Sequence, residues 1–491
     1  MTAENSSVDV LRTPEAGGKV IRGGALRGAG YGVGIAVGAL TAVFLTRGLG
    51  LEDFGRYGTV AAVLGIVSIV TDAGLTAVGS RELAVLQPGR AREELLRHLV
   101  GLRILVSTAA VLAATGFVAL AGYDRVMVWG TLLGGLGVLL VNTQATAMMP
   151  LSIELRLGRV TAIDLLKQVL TLGFVAVLAV AGASLLPYFA VQAVVGALVL
   201  VLTPRLIGGV RPMLPRVERA VAVGLLREAL PVAVAIAMNV LYLRLLVIMV
   251  SLLSDETETG FYATSFRVVE MLIGLPTLVL SVALPLLSVA GAEDLERLRY
   301  GLQRTLEVAV VAAAGLVLVT VVVAPAVPLL FGDEFDGAVG MLQIQAWALL
   351  PLFVGQALGL ALIALRCQRA LAIGNGVAVV LVVVVGLLLI PDHGGTGAAV
   401  AGVVTEAGLC LMLLLLLART APAVMPKLGF AWRPGLALAA GIVPLLVPGL
   451  GHVLAGALAV AAFVGTALVA KAVPPEVAEA LRRRGPTGGT A

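Results

Sequence analysis

Apolar runs of about 20 residues recur along almost the whole chain, and about 20 apolar residues are what an α-helix needs to cross the hydrocarbon of a bilayer. Such runs lie at 27–47, 57–78, 101–121, 127–149, 161–183, 185–204, 229–252, 261–289, 303–324, 340–364, 371–391, 397–418, 435–449 and 453–470. Hydrocarbon offers no water to backbone N–H and C=O groups, so each run must satisfy them within itself, as a helix does. The pattern predicts an all-α polytopic membrane protein with about 14 transmembrane helices. The 491-residue chain is 59% hydrophobic and only 13% charged, about half the charged fraction of a soluble domain. In the last pair of runs the stretch GIVPLLVPGL holds two prolines, which leaves a re-entrant hairpin as the alternative to two full crossings.

The formal net charge of +5 would suit nucleic acid in a soluble protein. Here the positive residues lie between apolar runs, where retention of Lys and Arg on the cytoplasmic side explains them and no nucleic-acid partner is implied. With the N-terminus inside, 29 of the 34 Lys and Arg fall on the cytoplasmic side, among them Arg81, Arg90, Arg92, Arg97, Arg205, Arg211, Arg216, Arg219 and Arg482, Arg483, Arg484. Only Arg47, Arg56 and Arg125 sit at outer ends, and the outer loops are acidic, with Asp255, Glu256 and Glu258 in one and Asp333, Glu334 and Asp336 in another. Both termini are then cytoplasmic tails, 1–25 and 472–491. The first 25 residues lack the short apolar core and cleavage site of a signal peptide.

Several chemistries are excluded by what the chain omits. There is no G-x-x-x-x-G-K-[ST] to cradle nucleotide phosphates. The histidines are three and scattered, His98, His393 and His452, and the cysteines are Cys367 and Cys410 with no C-x-x-C, so neither a metal site, a cofactor nor a disulfide framework is expected. The acidic stretch Asp333-Glu334-Phe335-Asp336 reads as a solvated outer loop, and no catalytic residue is assigned.

The chain also resembles itself. LRLGRVTAI at 155–163 matches LRCQRALAI at 365–373, 210 residues on, and Gly55-Arg56-Tyr57-Gly58-Thr59 pairs more weakly with Gly260-Phe261-Tyr262-Ala263-Thr264 at an offset of 205. Six runs separate each pair, so the halves are expected to be parallel repeats about an axis along the membrane normal. This gives an N-lobe at 26–208 (spans 1–6), a C-lobe at 221–418 (spans 7–12) and extra spans at 434–471.

An ionisable side chain at mid-membrane costs roughly 2.5–3.5 kcal/mol on the insertion scale, so each needs a partner or a use. Asp72, Arg244, Arg267, Glu270 and Glu406 are the candidates; Glu307 is near enough to an end to reach the interface. Arg244, Arg267 and Glu270 lie at similar depth on the two helices of one hairpin. Glu270 with one arginine forms a locking ion pair, yet that leaves a second arginine uncompensated, and an arginine facing a wet cavity suits a phosphate through its planar fork of donors. Pairing and anion binding both remain open. Asn142, Gln144, Asn239, Gln343, Gln345, Gln356 and Asn375 are either interhelical glue or contacts for sugar hydroxyls. The small residues of GAGYGVGIAVGAL in the first span suit close helix packing or a moving gate alike.

Several stretches resemble the polysaccharide flippases of the Wzx type, in the superfamily that also holds multidrug and toxin extrusion proteins. They are TRGLGLEDFGRYGTV at 46–60, TDAGLTAVGSRELA at 71–84, GFYATSFRVVEMLIGLPTLVLSVALPLLS at 260–288, LLFGDEFDGAVGMLQIQAWALL at 329–350 and GGTGAAVAGVVTEAG at 394–408. The resemblance spans roughly residues 20–420. It implies two six-helix lobes around a central cavity opening alternately to each side, in a bacterial cytoplasmic membrane. It further implies a polyprenyl-pyrophosphate-linked saccharide as cargo, with the tail left in the lipid bilayer, and a polysaccharide polymerase or glycosyltransferases as working partners. Cavity arginines of such flippases correspond best to Arg244 and Arg267, then to Arg27 and Arg47; Asn239 is added as a sugar contact. Asp72, Glu270 and Glu406 are ion-coupling or structural. Relatives commonly carry Arg-hydrophobic-Asp in span 7, whereas Leu245 and Leu246 follow Arg244 here, so Glu270 must replace that acid or leave the arginine freer.

The expected function is therefore transport of a lipid-linked oligosaccharide or polysaccharide precursor from inner to outer leaflet by alternating access. Rivals are a cation-coupled multidrug exporter, which needs a net acidic cavity, and a lipid II type flippase. A membrane glycosyltransferase or polymerase would need a large catalytic outer loop, and none here exceeds about 17 residues.

Overall fold

The computed structural model describes residues 14–87, 89–154, 156–207 and 214–472, and every regular element among them is helical. In order they are α1 (Pro14–Val85), α2 (Arg90–Leu120), α3 (Arg125–Ala147), α4 (Met149–Ile153), α5 (Leu157–Val180), α6 (Leu185–Ile207), α7 (Arg219–Leu253) and α8 (Glu256–Glu293). They continue with α9 (Leu295–Val323), α10 (Val327–Phe331), α11 (Gly337–Ala346), α12 (Leu349–Ala364), α13 (Gln368–Thr420), α14 (Trp432–Ile442) and α15 (His452–Val469).

Two of these are not single rods. At Gly50 in α1 the backbone takes φ 74° and ψ 178°, and at Gly394 in α13 it takes φ 52° and ψ −136°. A side chain disfavours such angles and glycine does not, so each long helix folds back there into two passes. Eleven segments among the described residues are long and apolar enough to cross a membrane. Counting α1 and α13 twice and adding the 38-residue α8 gives the 14 passes expected. The next-to-last holds a short α-helix: α14 has 11 residues, roughly 16 Å at 1.5 Å per residue, and a 3₁₀ turn containing Pro444 follows it.

The chain forms two compact units, Met1–Leu49 with Val63–Ala237, and Gly50–Ala62 with Met238–Ala491. Two dividing lines thus fall inside α1 and the third inside α7. In the first unit α3 packs against α2 and α6, and Leu83, Leu99 and Leu102 join Leu225 of α7 in a buried apolar cluster. The start of α7 is tied in further by Arg81, which donates to Glu228 at 2.5 Å. In the second unit α12 packs on α8, α9 and α13, while α14 and α15 pair and lie on α9. The turn that follows Gly50 joins this unit through Phe54, whose ring meets Phe335 edge-on at 6.1 Å, and through Arg56, which pairs with Glu256 at 2.7 Å. Outward faces stay apolar, as at Leu112, Val177 and Leu388, each more than half exposed. That is how a helix solvated by lipid is built.

Candidate functional site

The second unit contains the densest cluster of intramembrane charge among the sequence candidates. Arg244 on α7 and Arg267 on α8 both donate to one carboxylate, Glu270 of α8. Arg244 reaches Oε1 through Nη2, and Arg267 reaches Oε2 at 3.1 Å through Nη1. Arg267 and Glu270 are i, i+3 neighbours, which places them on one helical face. Arg244 comes from the adjacent helix, and its guanidinium also lies over the Phe266 ring, 5.8 Å from the centroid. All three side chains are part-exposed, Arg267 most at 41%. Two cations share one acid, so the cluster carries an excess positive charge, while each arginine keeps further N–H groups with no hydrogen-bond partner among the described residues. Glu270 thus supplies from α8 the acid that pairs with Arg244 of α7.

Glu406 on α13 sits apart. It is buried, and the Tyr242 hydroxyl of α7 donates to its Oε1 at 3.0 Å. No Lys or Arg pairs with it among the described residues.

Asp72 belongs to a different network in the first unit. Arg103 of α2, with no exposed side-chain surface, pairs with Asp72 at 2.8 Å and donates to the Thr71 carbonyl at 2.5 Å, Thr76 Oγ1 at 2.8 Å and Thr146 Oγ1 at 2.9 Å. Thr76 in turn donates to Asp72 at 2.6 Å. Asn142 adds an amide donor to Thr71 Oγ1 at 3.0 Å. Arg103 is not among the sequence candidates; the available signal is an arginine flanked by apolar residues, VGLRILVS, with no acid within one helical turn.

The remaining expected residues are not gathered at the arginine cluster. Asn239 is exposed on α7, and five residues before Arg244 it points to a different face of the helix. Arg47 is exposed and belongs to the first unit. Arg27 is on α1, but its side chain lies outside the described residues. Among the described residues no three His, Cys, Asp or Glu side chains group to hold a metal ion.

Residues 44–340 match the model of a family described as polysaccharide biosynthesis protein. The chain belongs to that family. The match takes in both arginines of the cluster, Glu270 and the Asp72–Arg103 network, and stops short of Glu406. No curated protein matches this family member in sequence. Among solved structures it is similar to the lipid II flippase MurJ in an inward closed conformation, with 11% identity, 93% of this chain and 99% of the other covered, and a TM-score of 0.72. It is also similar to an inward-facing multidrug resistance MATE transporter of the MOP superfamily, at 16% identity over 79% of this chain and 95% of that one, TM-score 0.62. A third likeness is to a MOP superfamily transporter from Pyrococcus furiosus whose reversed pocket polarity suggests a different function, at 12% identity, covering 86% and 99%, TM-score 0.56. The family member therefore has the multi-pass helical fold of these transporters, which bears out the all-α architecture and the family expected from the sequence.

Proposed function

We propose that this protein carries a lipid-linked oligosaccharide or polysaccharide precursor from the inner to the outer leaflet of a bacterial cytoplasmic membrane by alternating access of two lobes, with both termini cytoplasmic. The observation that supports this most is the sharing of Glu270 by Arg244 and Arg267. An arginine pair with a single counter-charge, held inside the membrane, is suited to receive the pyrophosphate of a polyprenyl-linked saccharide through charge-assisted hydrogen bonds. Family membership and the flippase-like fold agree with it. We assign no catalytic role to any residue; a polymerase or glycosyltransferases would supply and consume the cargo. For energy, Glu406 is the best candidate to bind a proton or cation, since Asp72 and Glu270 already face arginines.

Similarity in fold to a lipid II flippase makes a lipid II type precursor the second candidate cargo. Export of cationic drugs is disfavoured, because a cation would meet two guanidinium groups and one acid. The test is purified protein in liposomes with a fluorescent polyprenyl-pyrophosphate oligosaccharide, read by its accessibility to an outside reagent. Transfer by the wild type that is lost in Arg244→Ala/Arg267→Ala supports both cargo and site. Transfer indifferent to the double substitution removes the site, and transfer no faster than in empty liposomes, with or without an ion gradient, sinks the flippase.

A further inference from the structure

The second pass of α1, in the first unit, carries a polar row to which no role has yet been given. Ser68, Asp72, Thr76 and Ser80 follow one another at intervals of four residues, which at 3.6 residues per turn keeps them within about 120° of one another around the helix and spreads them over roughly 18 Å of its length. All four are half-buried. To one side of the row Thr71, Leu75 and Val78 are buried in the unit, and to the other Val70 and Ala77 are exposed and apolar, as a surface against lipid is. The row belongs to neither side. Polar groups on a membrane-crossing helix that are not packed inside the protein border water, because hydrocarbon offers them no partner.

Asp72 is the charged member of the row, and its two oxygens are used unequally. Oδ1 takes both the Arg103 guanidinium at 2.8 Å and the Thr76 hydroxyl at 2.6 Å. Oδ2 receives no hydrogen bond from any described residue, and the side chain is 40% exposed. Arg103 is fully buried and anchored by Thr71, Thr76 and Thr146, so the carboxylate is held still with one oxygen tied into the unit and the other left available. Holding an acceptor in place beforehand lowers the entropy lost when a ligand binds it. The Asp72–Arg103 pair carries no net charge, so a free cation meets an acid that is already neutralised, and an anion meets a carboxylate. A neutral molecule rich in hydroxyls fits: an O–H donates to a carboxylate oxygen in a short, strong hydrogen bond, and the hydroxyls of Ser68 and Ser80 can each donate and accept.

We propose that Asp72, through Oδ2 and with Ser68 and Ser80 beside it along the row, binds the sugar hydroxyls of the cargo. This rests on the lipid-linked saccharide proposed above and assigns the group that recognises its neutral part. Asp72 is then a residue that sets saccharide specificity, and Arg103 is the positioning residue that aims it.

The test is calorimetric binding, to the detergent-purified protein, of farnesyl pyrophosphate that is bare or carries glucose, galactose or N-acetylglucosamine. The wild type is expected to hold one or more of the sugar-bearing forms about tenfold more tightly than the bare form, the scale of one charge-assisted hydrogen bond. Asp72→Asn should cut that preference to about twofold or less while the Kd of the bare form stays within about twofold of wild type. Adding Arg103→Met removes the stranded charge, so a purely structural role for Asp72 predicts that the preference returns in the double variant, and that outcome overturns the proposal; loss in both variants supports it. If Asp72→Asn does not fold, the double variant decides alone. A preference that survives in Asp72→Asn also overturns it. Equal binding of bare and sugar-bearing forms by the wild type overturns the sugar contact and leaves the pyrophosphate reading standing, whereas binding of neither form overturns both.

Discussion

Gly55 and Gly260, 205 residues apart in the chain, meet backbone to backbone in the second unit. A Cβ on Gly55 would sit 2.9 Å from the amide nitrogen of Gly260, and one on Gly260 would sit 2.5 Å from the carbonyl oxygen of Leu51. Neither neighbour is the end of a flexible side chain, so neither can swing away. Gly55→Val and Gly260→Val are expected to destabilise the protein by about 1–3 kcal/mol, the usual cost of overpacking. Chemical unfolding in detergent micelles measures this, and wild-type stability in both variants would refute the close approach.

The Asp72–Arg103 pair predicts an asymmetry. Asp72→Asn leaves Arg103 charged and fully buried, but the Asp72 side chain is 40% exposed and Arg103 keeps its three threonine contacts, so the expected loss is about 1–3 kcal/mol. Arg103→Met in the same background removes the stranded charge and should recover part of the loss. A double-mutant cycle on unfolding free energies reads the coupling; strictly additive effects would mean that the pair contributes nothing.

Glu270→Gln removes the acid that both arginines share while keeping an amide that accepts a hydrogen bond. Binding of a polyprenyl-pyrophosphate saccharide should tighten about tenfold, equivalent to 1.4 kcal/mol, and turnover in liposomes should slow, because an anion that is held harder leaves later. Weaker binding would show instead that Glu270 holds the arginines in the geometry the cargo needs.

Glu406→Gln keeps the Tyr242 contact sterically but cannot take up a proton or hold a cation. Transfer driven by an imposed ion gradient should fall to the rate seen without one, whereas exchange at equilibrium should persist. Gradient-driven transfer at the wild-type rate would exclude Glu406 from coupling.

The helices were legible because membrane insertion writes itself into the sequence as long apolar runs, whereas the fold-back glycines, Gly50 and Gly394, emerge only from their backbone angles. What the runs do not encode is which charged residue meets which. The depth match of Arg244, Arg267 and Glu270 came from counting 1.5 Å per residue along two neighbouring helices, a local inference. Arg103 was missed for the opposite reason: its partners Thr71, Thr76 and Thr146 are 27 to 43 residues distant, and only the packing of α2 against α1 and α3 brings them together. Gln345 stood out as polar in an apolar run, but its lack of a partner is a property of the packed interior. Asn239 was read as a polar residue suited to a sugar hydroxyl, and helical rotation turns it away from Arg244.

A guanidinium has five N–H bonds to give, and the arginines of this protein distribute them differently. Arg103 commits four, to Thr146, the Thr71 carbonyl, Asp72 and Thr76; it has almost nothing to offer a visitor and would have to dismantle its surroundings to change partner. Arg244 and Arg267 each give one to Glu270 and hold the rest in reserve. The same side chain is therefore masonry at Arg103, whereas Arg244 and Arg267, on the function proposed above, would grip and release an arriving anion without dismantling their surroundings.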